Sequence, residues 1–334
     1  NSSGSITISD GEIECTGKAD VDGLLTISGS GATLDVNGEL ELSSTTTEAI
    51  SNGRITVVGD FDADDANNFT PSGGTLTMDG SGADATITLH SSANFYNLTV
   101  NVGSYDVDAG SNFDVDGALT VSGGELDVLA RTITVTGASD IASGAILNIN
   151  GSGVFDANGS FDANGGTINM DGTARLQLSA SGSGVSNLGT LDVLAGTVVY
   201  DGAAQDVLAD TYWNLIIDQS GNKTAQGSID VENDMTISNS ATFLTSNQTI
   251  DVSGSTTVSA TLDIGNGQYN SRGGFSASGA INFSHNGGKL NFFTASPTSL
   301  GALDNTQGTV DYELGATDVL SDDYHALRIN GGDV

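Results

Sequence analysis

The sequence predicts an all-β fold, a parallel β-helix or solenoid in which short strands stack turn upon turn. Three observations support this prediction. Glycine is abundant and proline rare, with 46 Gly and 2 Pro in 334 residues, while Lys and Arg together number only 8. Val, Ile, Thr and Leu recur in short runs, and strong helix formers are scarce between them. Finally, a long internal repeat runs through the chain.

The basic unit is a strand of four or five residues followed by a Gly, Asn or Asp turn. Apolar and polar residues alternate within each strand, so one face is buried and the other solvated. Turns such as Asn164-Gly165 supply the positive φ that tight corners require. In the six-residue repeat 155–165, Phe155 and Phe161 are expected to stack in the core. Other strands with the alternating pattern include Ile6–Ser9, Leu24–Ser28, Thr33–Val36, Leu119–Ser122, Ile133–Thr136 and Thr249–Val252.

The long repeat is clearest in the second half of the chain. Residues 189–218 align without a gap to residues 301–330, and 15 of the 30 aligned positions are identical. A weaker third copy lies upstream, at 74–80 and 95–98. The repeated landmarks are Leu98, Leu215 and Leu327. We therefore predict three super-repeats, at 1–100, 101–217 and 218–334, within one continuous solenoid.

Turns of parallel β-helices contain roughly twenty-odd residues, so each super-repeat is expected to contain about five of them. Some fifteen turns would extend about 70 Å at the strand spacing of ~4.8 Å. Three β-sandwich modules in tandem are the alternative fold.

Segment 326–332 stops where the repeat would continue, and residues 1–6 resemble the next piece. We expect either a longer protein cut at a repeat boundary or a protomer that stacks end to end.

The charge restricts the partners of the chain. Asp and Glu number 42, giving a formal net charge of −34, yet 37% of residues are hydrophobic and fall in regular runs, which argues against disorder. Such an acidic chain repels nucleic acid and anionic membrane surfaces. No apolar run approaches the roughly 18 residues needed to cross a membrane. Cys15 is the single cysteine, so no intrachain disulfide can form. We expect an extracellular protein with no nucleic-acid partner and no membrane insertion.

A family resemblance follows from the repeat style. The landmark Gly-Thr-Val-x-Tyr, followed by Tyr-x-x-Leu, occurs at 196–215 and 308–327. With short strands separated by Gly and Asn, and almost no Pro, Cys or Lys, the chain resembles passenger regions of bacterial autotransporters and filamentous-haemagglutinin-type adhesins. The resemblance implies a right-handed parallel β-helix, export, and a role in bacterial adhesion or a surface layer. It implies no specific binding residues.

One acidic segment is a candidate calcium site. Asp60, Asp62, Asp64 and Asp65 offer carboxylates at nearly alternate positions, which suits a hard cation. The pattern departs from an EF-hand loop, because Asp65 stands at the glycine position and Pro71 replaces the bidentate glutamate. A solvated acidic loop is the alternative. The sequence points to no other cofactor.

We expect no enzymatic activity. The carboxylate pairs Asp64/Asp65 and Asp322/Asp323 are adjacent residues, and adjacent residues of a strand point to opposite faces. The three histidines lie far apart in the sequence, and no cluster of basic or aromatic residues accompanies either pair. A carbohydrate-binding or polysaccharide-degrading β-helix is nevertheless the alternative function. Trp213, Tyr212 and Tyr324 offer a sugar-stacking platform, although their repeat register favours a structural corner.

Threonine-rich strands raise a further question. Thr-x-Thr segments such as 75–77 and 132–136 do not recur at a constant spacing, so we expect no flat threonine array.

The sequence as a whole predicts an extracellular structural protein, a subunit or segment of a surface fibre, filament or adhesin stalk. Assembly would occur by end-to-end strand pairing through Ile6, Ile8, Leu327 and Ile329. Copies of the chain, an adjoining part of a longer chain and cell-surface glycans are the expected partners.

Overall fold

The computed structural model describes residues 4–43, 47–293, 297–313 and 318–330. Within these ranges the chain is all-β, without a helix, and its parallel strands stack in about 15 turns as a β-solenoid. The predicted fold class is confirmed, and parallel pairing rules out the tandem sandwiches. The sequence analysis compared two terminal segments, 1–6 and 326–332. Residues 1–3 and 331–332 of these segments lie outside the described residues.

The chain divides into two compact units. Unit 1 is Asn1–Leu176 with Asn187–Asp192, and unit 2 is Gln177–Ser186 with Val193–Val334. The first strands of unit 1 are β1 Ser5–Ile8, β2 Glu12–Cys15, β3 Ala19–Val21, β4 Leu24–Ile27, β5 Thr33–Val36, β6 Leu40–Leu42, β7 Thr47–Ile50, β8 Arg54–Val57, β9 Phe61–Ala63, β10 Thr75–Met78 and β11 Ala85–Leu89. They are followed by β12 Asn94–Phe95, β13 Asn97–Ala109, β14 Phe113–Val115, β15 Leu119–Asp127, β16 Thr132–Val135, β17 Ser139–Ile141, β18 Ile146–Ile149, β19 Val154–Ala157, β20 Phe161–Asp162 and β21 Thr167–Met170.

Three strands contain residues of both units, namely β22 Arg175–Leu178, β23 Val185–Asn187 and β24 Thr190–Val193. The strands of unit 2 are β25 Thr197–Tyr200, β26 Gln205–Val207, β27 Thr211–Tyr212, β28 Asn214–Ile217, β29 Gly221–Ala225, β30 Ile229–Val231, β31 Met235–Ile237, β32 Ala241–Leu244, β33 Thr249–Val252, β34 Thr256–Val258, β35 Thr261–Asp263, β36 Gln268–Ser271, β37 Phe275–Asn282, β38 Lys289–Phe292, β39 Ser299–Leu303, β40 Thr309–Glu313 and β41 Leu327–Asn330.

Unit 1 has three faces, and most turns contribute to each of them, although no strand lies between β9 and β10 on the third face. One face contains β2, β5, β8, β10 and the starts of β13 and β15, and the next contains β3, β6, β9, β11 and the ends of β13 and β15. Successive strands pair in register, so residues with the same orientation form columns across the turns. Inward columns are aliphatic or aromatic. Phe155 and Phe161 pack edge to face inside the core at 6.3 Å between ring centroids, as predicted.

Unit 2 has the same three-sided arrangement. Its first face contains β25, β28, β31, β34 and the starts of β37 and β39, and its second contains β26, β29, β32, β35 and the ends of β37 and β39. The third face contains β27, β30, β33, β36, β38, β40 and β41.

The two best-aligned repeat copies therefore lie on different faces of unit 2. Strand β25, with the Gly-Thr-Val-x-Tyr landmark, is on the first face, while its repeat partner β40 is on the third. The start of β39 lies on the same face as β25, five turns later. The chain then crosses the second face with the end of β39 and reaches the third face with β40. The repeat is thus five turns and two faces long, at about 20 residues per turn. The expectation from the sequence was about five turns for each super-repeat.

Candidate functional surfaces

The proposed calcium segment spans β9 on the second face of unit 1, with Asp60 just before the strand, Asp62 within it, and Asp64 and Asp65 just after it. The Asp60 carboxylate accepts a hydrogen bond from the Thr86 N–H at 2.7 Å, and the Asp62 carboxylate accepts one from the Asp64 N–H at 3.0 Å. Two of the four carboxylates therefore bind backbone amides. Among the described residues, no group of three or more His, Cys, Asp or Glu side chains is arranged to hold a metal ion.

A second acidic cluster, which sequence reasoning missed, lies on the same face of unit 1. Register pairs Asp106 of β13 with Glu125 of β15, and Asp108 with Asp127. Asp84, in the preceding turn, accepts a hydrogen bond from the Asp106 N–H at 3.3 Å. Five carboxylates thus occupy two neighbouring columns. Like charges directly opposite each other in a sheet are destabilising.

Asp127 is the most buried member of this cluster, with 8% of its surface exposed. The amide groups of Asn148 and Asn150, on and just after β18, donate to its Oδ1 atom, the latter at 3.3 Å. Burial, reinforced by the Glu125 carboxylate, raises the pKa of Asp127 to about 7. Burial also raises the pKa values of Glu125 and Asp108. Asp127 therefore takes up a proton near neutral pH.

The long repeat has a defined structural role in unit 2. The hydroxyl oxygens of Tyr200 and Tyr212 lie 3.0 Å apart, the Leu208 N–H donates to Tyr200 at 3.3 Å, and Tyr212 donates to the Leu208 carbonyl at 2.8 Å. The second copy repeats this network with Tyr312, Leu320 and Tyr324, at distances of 3.2, 3.2 and 2.6 Å respectively. The paired tyrosines thus fasten a corner loop, as their repeat register indicated. Tyr212 is fully buried and offers no surface to a sugar.

An asparagine in the repeat joins adjacent turns in both units. In unit 1 the Asn97 amide donates to the Gly74 carbonyl at 3.0 Å, and its Oδ1 accepts from the Ala118 N–H at 2.8 Å. In unit 2 Asn214 donates to the Gly196 carbonyl at 2.8 Å in the same manner. Such bonds satisfy backbone groups at a corner where strand pairing stops.

Lys223 is a buried cation that the sequence did not reveal. It points inward from β29 and is fully buried. Its ammonium donates to the carbonyl oxygens of Gln219, at 2.6 Å, and Ser220, at 3.2 Å. Burial lowers the pKa of Lys223, and the Asp218 carboxylate opposes that effect. The lysine closes the turn before β29, a role that a count of basic residues cannot indicate.

The candidate catalytic pairs remain isolated. Asp322 accepts a hydrogen bond from the Asp323 N–H at 2.8 Å, so the pair forms a local turn. The largest open groove described in unit 2, about 400 Å³, is lined in part by Asp263, Asn266 and His285 and contains a single carboxylate. One column of threonines does occur in unit 1, where Thr56, Thr77, Thr99 and Thr120 stand in register on β8, β10, β13 and β15. It is not a Thr-x-Thr array, because Thr75 pairs with Arg54 and Asn97.

The four predicted assembly residues lie on β1 and β41. In the described part of the chain, β1 pairs only with β4, and β41 pairs only with β40. Ile8 is buried and Ile6 half-buried, whereas Leu327 and Ile329 are 43% and 48% exposed. Each strand therefore has one backbone edge without a strand partner, and β41 also exposes aliphatic surface.

Comparison with known proteins adds no identification. No protein-family model matches the chain, and no match was found among curated proteins or solved structures. Within the described ranges, no helix qualifies as a membrane span.

Proposed function

We propose that the chain is a structural segment of an extracellular surface fibre or adhesin stalk, extended by parallel strand pairing at its β41 edge. The observation that carries the proposal is a comparison of repeat positions within unit 2. Leu215 and Ile217 of β28 are fully buried because β31 supplies the next turn. Their counterparts Leu327 and Ile329 are about half exposed.

A further turn laid on β41 would bury this aliphatic surface and pair its free backbone edge. Burying a Leu or Ile side chain contributes roughly 1.5–3 kcal/mol, and an unpaired edge is a ready template for another strand. Adjoining sequence of a longer protein and the β1 edge of another copy are both suitable sources. Nearest-neighbour stacking of this kind suits an elongated supporting role. The strongly acidic composition supports solubility outside the cell and argues against nucleic-acid or anionic membrane partners.

Electron microscopy of the purified chain, over a range of concentrations and with or without EDTA, tests the assembly. We expect filaments or end-joined particles whose axial repeat corresponds to one chain. Ile329→Pro removes a backbone donor at the free edge and should abolish them. Leu194→Asp is the matched control, because Leu194 is 75% exposed but lies outside β41. Single particles at every concentration would refute self-assembly, and an unchanged Ile329→Pro filament would refute the β41 contact.

A further inference from the structure

The super-repeat places an aromatic residue at one corner of each unit. In unit 1 Tyr96 lies between β12 and β13 and is 39% exposed. In unit 2 Trp213 holds the equivalent position between β27 and β28 and is half-buried. Their neighbours Phe95 and Tyr212 point into the core, so the chain turns at the corner with the aromatic ring on the outside.

Glycines follow each aromatic residue along its corner. In unit 1 the Gly117 N–H donates to the Tyr96 carbonyl at 2.6 Å, and the Gly137 N–H donates to the Gly117 carbonyl at 3.0 Å. A Cβ on Gly137 would lie 2.3 Å from the Gly117 oxygen, so only glycine fits there. The next turn continues the pattern, because a Cβ on Gly159 would lie 2.0 Å from the Gly137 oxygen. Three successive turns beyond Tyr96 therefore have glycine at this corner, and the Asn97 side chain lies against the first of these glycines.

Unit 2 has a related corner, in which Asn233 follows Trp213 and two glycines then follow Asn233. The Asn233 N–H donates to the Trp213 carbonyl at 2.9 Å, and the Gly254 N–H donates to the Asn233 carbonyl at 2.9 Å. A Cβ on Gly273 would lie 2.2 Å from the Gly254 oxygen. The Asn233 side-chain amide donates to the Asn214 Oδ1 atom at 2.8 Å.

We propose that Tyr96 and Trp213 are stacking platforms for an uncharged polysaccharide that lies along these corners. An aromatic ring combines a broad apolar face with low conformational entropy, and the glycines along each corner leave room for a flat ligand. Asp116 and Asp234 lie next to the corner residues Gly117 and Asn233. One oxygen of each accepts a hydrogen bond within the protein, from the Asn94 amide at 2.6 Å and from the Ser255 N–H at 2.8 Å respectively, and under the proposal these carboxylates also accept from sugar hydroxyls. They also repel carboxylated or sulfated chains, as does the net charge of −34.

Trp213 is the only tryptophan, so its fluorescence reports on this corner alone. The probes are dextran, a soluble β-1,3-glucan and a galactomannan, with alginate as the anionic comparator. We expect at least one neutral polymer to shift the emission saturably, with little dependence on salt. No shift with any neutral polymer, or tighter binding of alginate, would overturn the proposal.

Affinity electrophoresis in the binding polymer then tests the residues. Trp213→His copies His325, which stands at the same repeat position, so the fold should tolerate it. We expect this variant and Tyr96→Ala each to bind roughly tenfold more weakly, equivalent to about 1.4 kcal/mol. Trp213→Tyr, which copies Tyr96, should retain binding, and Tyr105→Ala is the control at a half-buried tyrosine away from the corner. Equal retardation of Trp213→His and wild type would refute the assignment, whether or not the protein forms fibres.

Discussion

Single residues determine where this solenoid departs from simple strand stacking. The alternating pattern placed Phe155 and Phe161 in the core correctly, because burial of alternate residues follows directly from strand geometry. It did not reveal Lys223 or the cluster around Asp127. The Asp127 cluster depends on which residues of the neighbouring turns lie alongside. Lys223 depends on the local backbone path that brings the Gln219 and Ser220 carbonyls to its ammonium.

The Asp127 cluster gives stability a specific pH dependence. The folded-state pKa of about 7 lies above the ordinary Asp value, so the folded protein binds a proton that the unfolded chain releases. Stability from this group is complete below about pH 4 and is lost as pH rises through 7. Asp106, Asp108 and Glu125 face the group, and Asn148 and Asn150 are the amides beside it, so no cation offsets the charge.

Asp127→Asn removes this charge and retains the acceptor for the two amides. We expect the variant to be more stable than wild type at pH 8, by up to about 4 kcal/mol at 1.36 kcal/mol per pKa unit, with the gain vanishing near pH 4. Urea unfolding across this range measures the difference. Asp20→Asn, at an exposed carboxylate of β3, is the control. A gain that is equal at both pH values would contradict the proton-linked explanation.

Among the structural elements, the corners need particular residues, whereas the strands need only the alternating pattern. Strand positions followed from the sequence; Thr249–Val252, for example, is β33 as predicted. The sequence did not show which strands share a face, because corners of different length return the chain to the same register. Thr56, Thr77, Thr99 and Thr120 align for this reason despite unequal sequence spacing.

Two corner glycines allow the energetic cost of backbone strain to be measured separately from the cost of a steric clash. Gly221 has φ +107°, and a Cβ there would lie 1.6 Å from the Ala203 carbonyl oxygen. Gly144 has φ +83° with open space around it. We expect Gly144→Ala to cost about 1–2 kcal/mol of unfolding free energy from strain alone, and Gly221→Ala clearly more, because the neighbouring turn must move. Denaturant unfolding of both variants measures this, and equal costs would show that the contact with the preceding turn is unimportant.

For the whole molecule, the acidic excess sets the response to salt. A net charge of −34 repels itself within a compact fold, and ions screen that repulsion over about 10 Å at 0.1 M. We expect the melting temperature to rise with NaCl.

Calcium binding at Asp60, Asp62, Asp64 and Asp65 stays a prediction that the same measurement tests. A further rise in CaCl₂ at equal ionic strength, lost in Asp62→Asn, would establish that site, and no further rise would remove it.

The position of the repeat copies in unit 2 also bears on how such a chain changes in evolution. Because a copy spans five turns and two faces, a duplicated block does not meet its predecessor face to face. The contacts that define it are accordingly local: the paired tyrosines are 12 residues apart, and the asparagine reaches the turns on either side of it. A block built this way keeps its own contacts whichever face it begins on. In unit 2 the repeated corner position therefore recurs at a different corner, with Trp213 before β28 on the first face and His325 before β41 on the third.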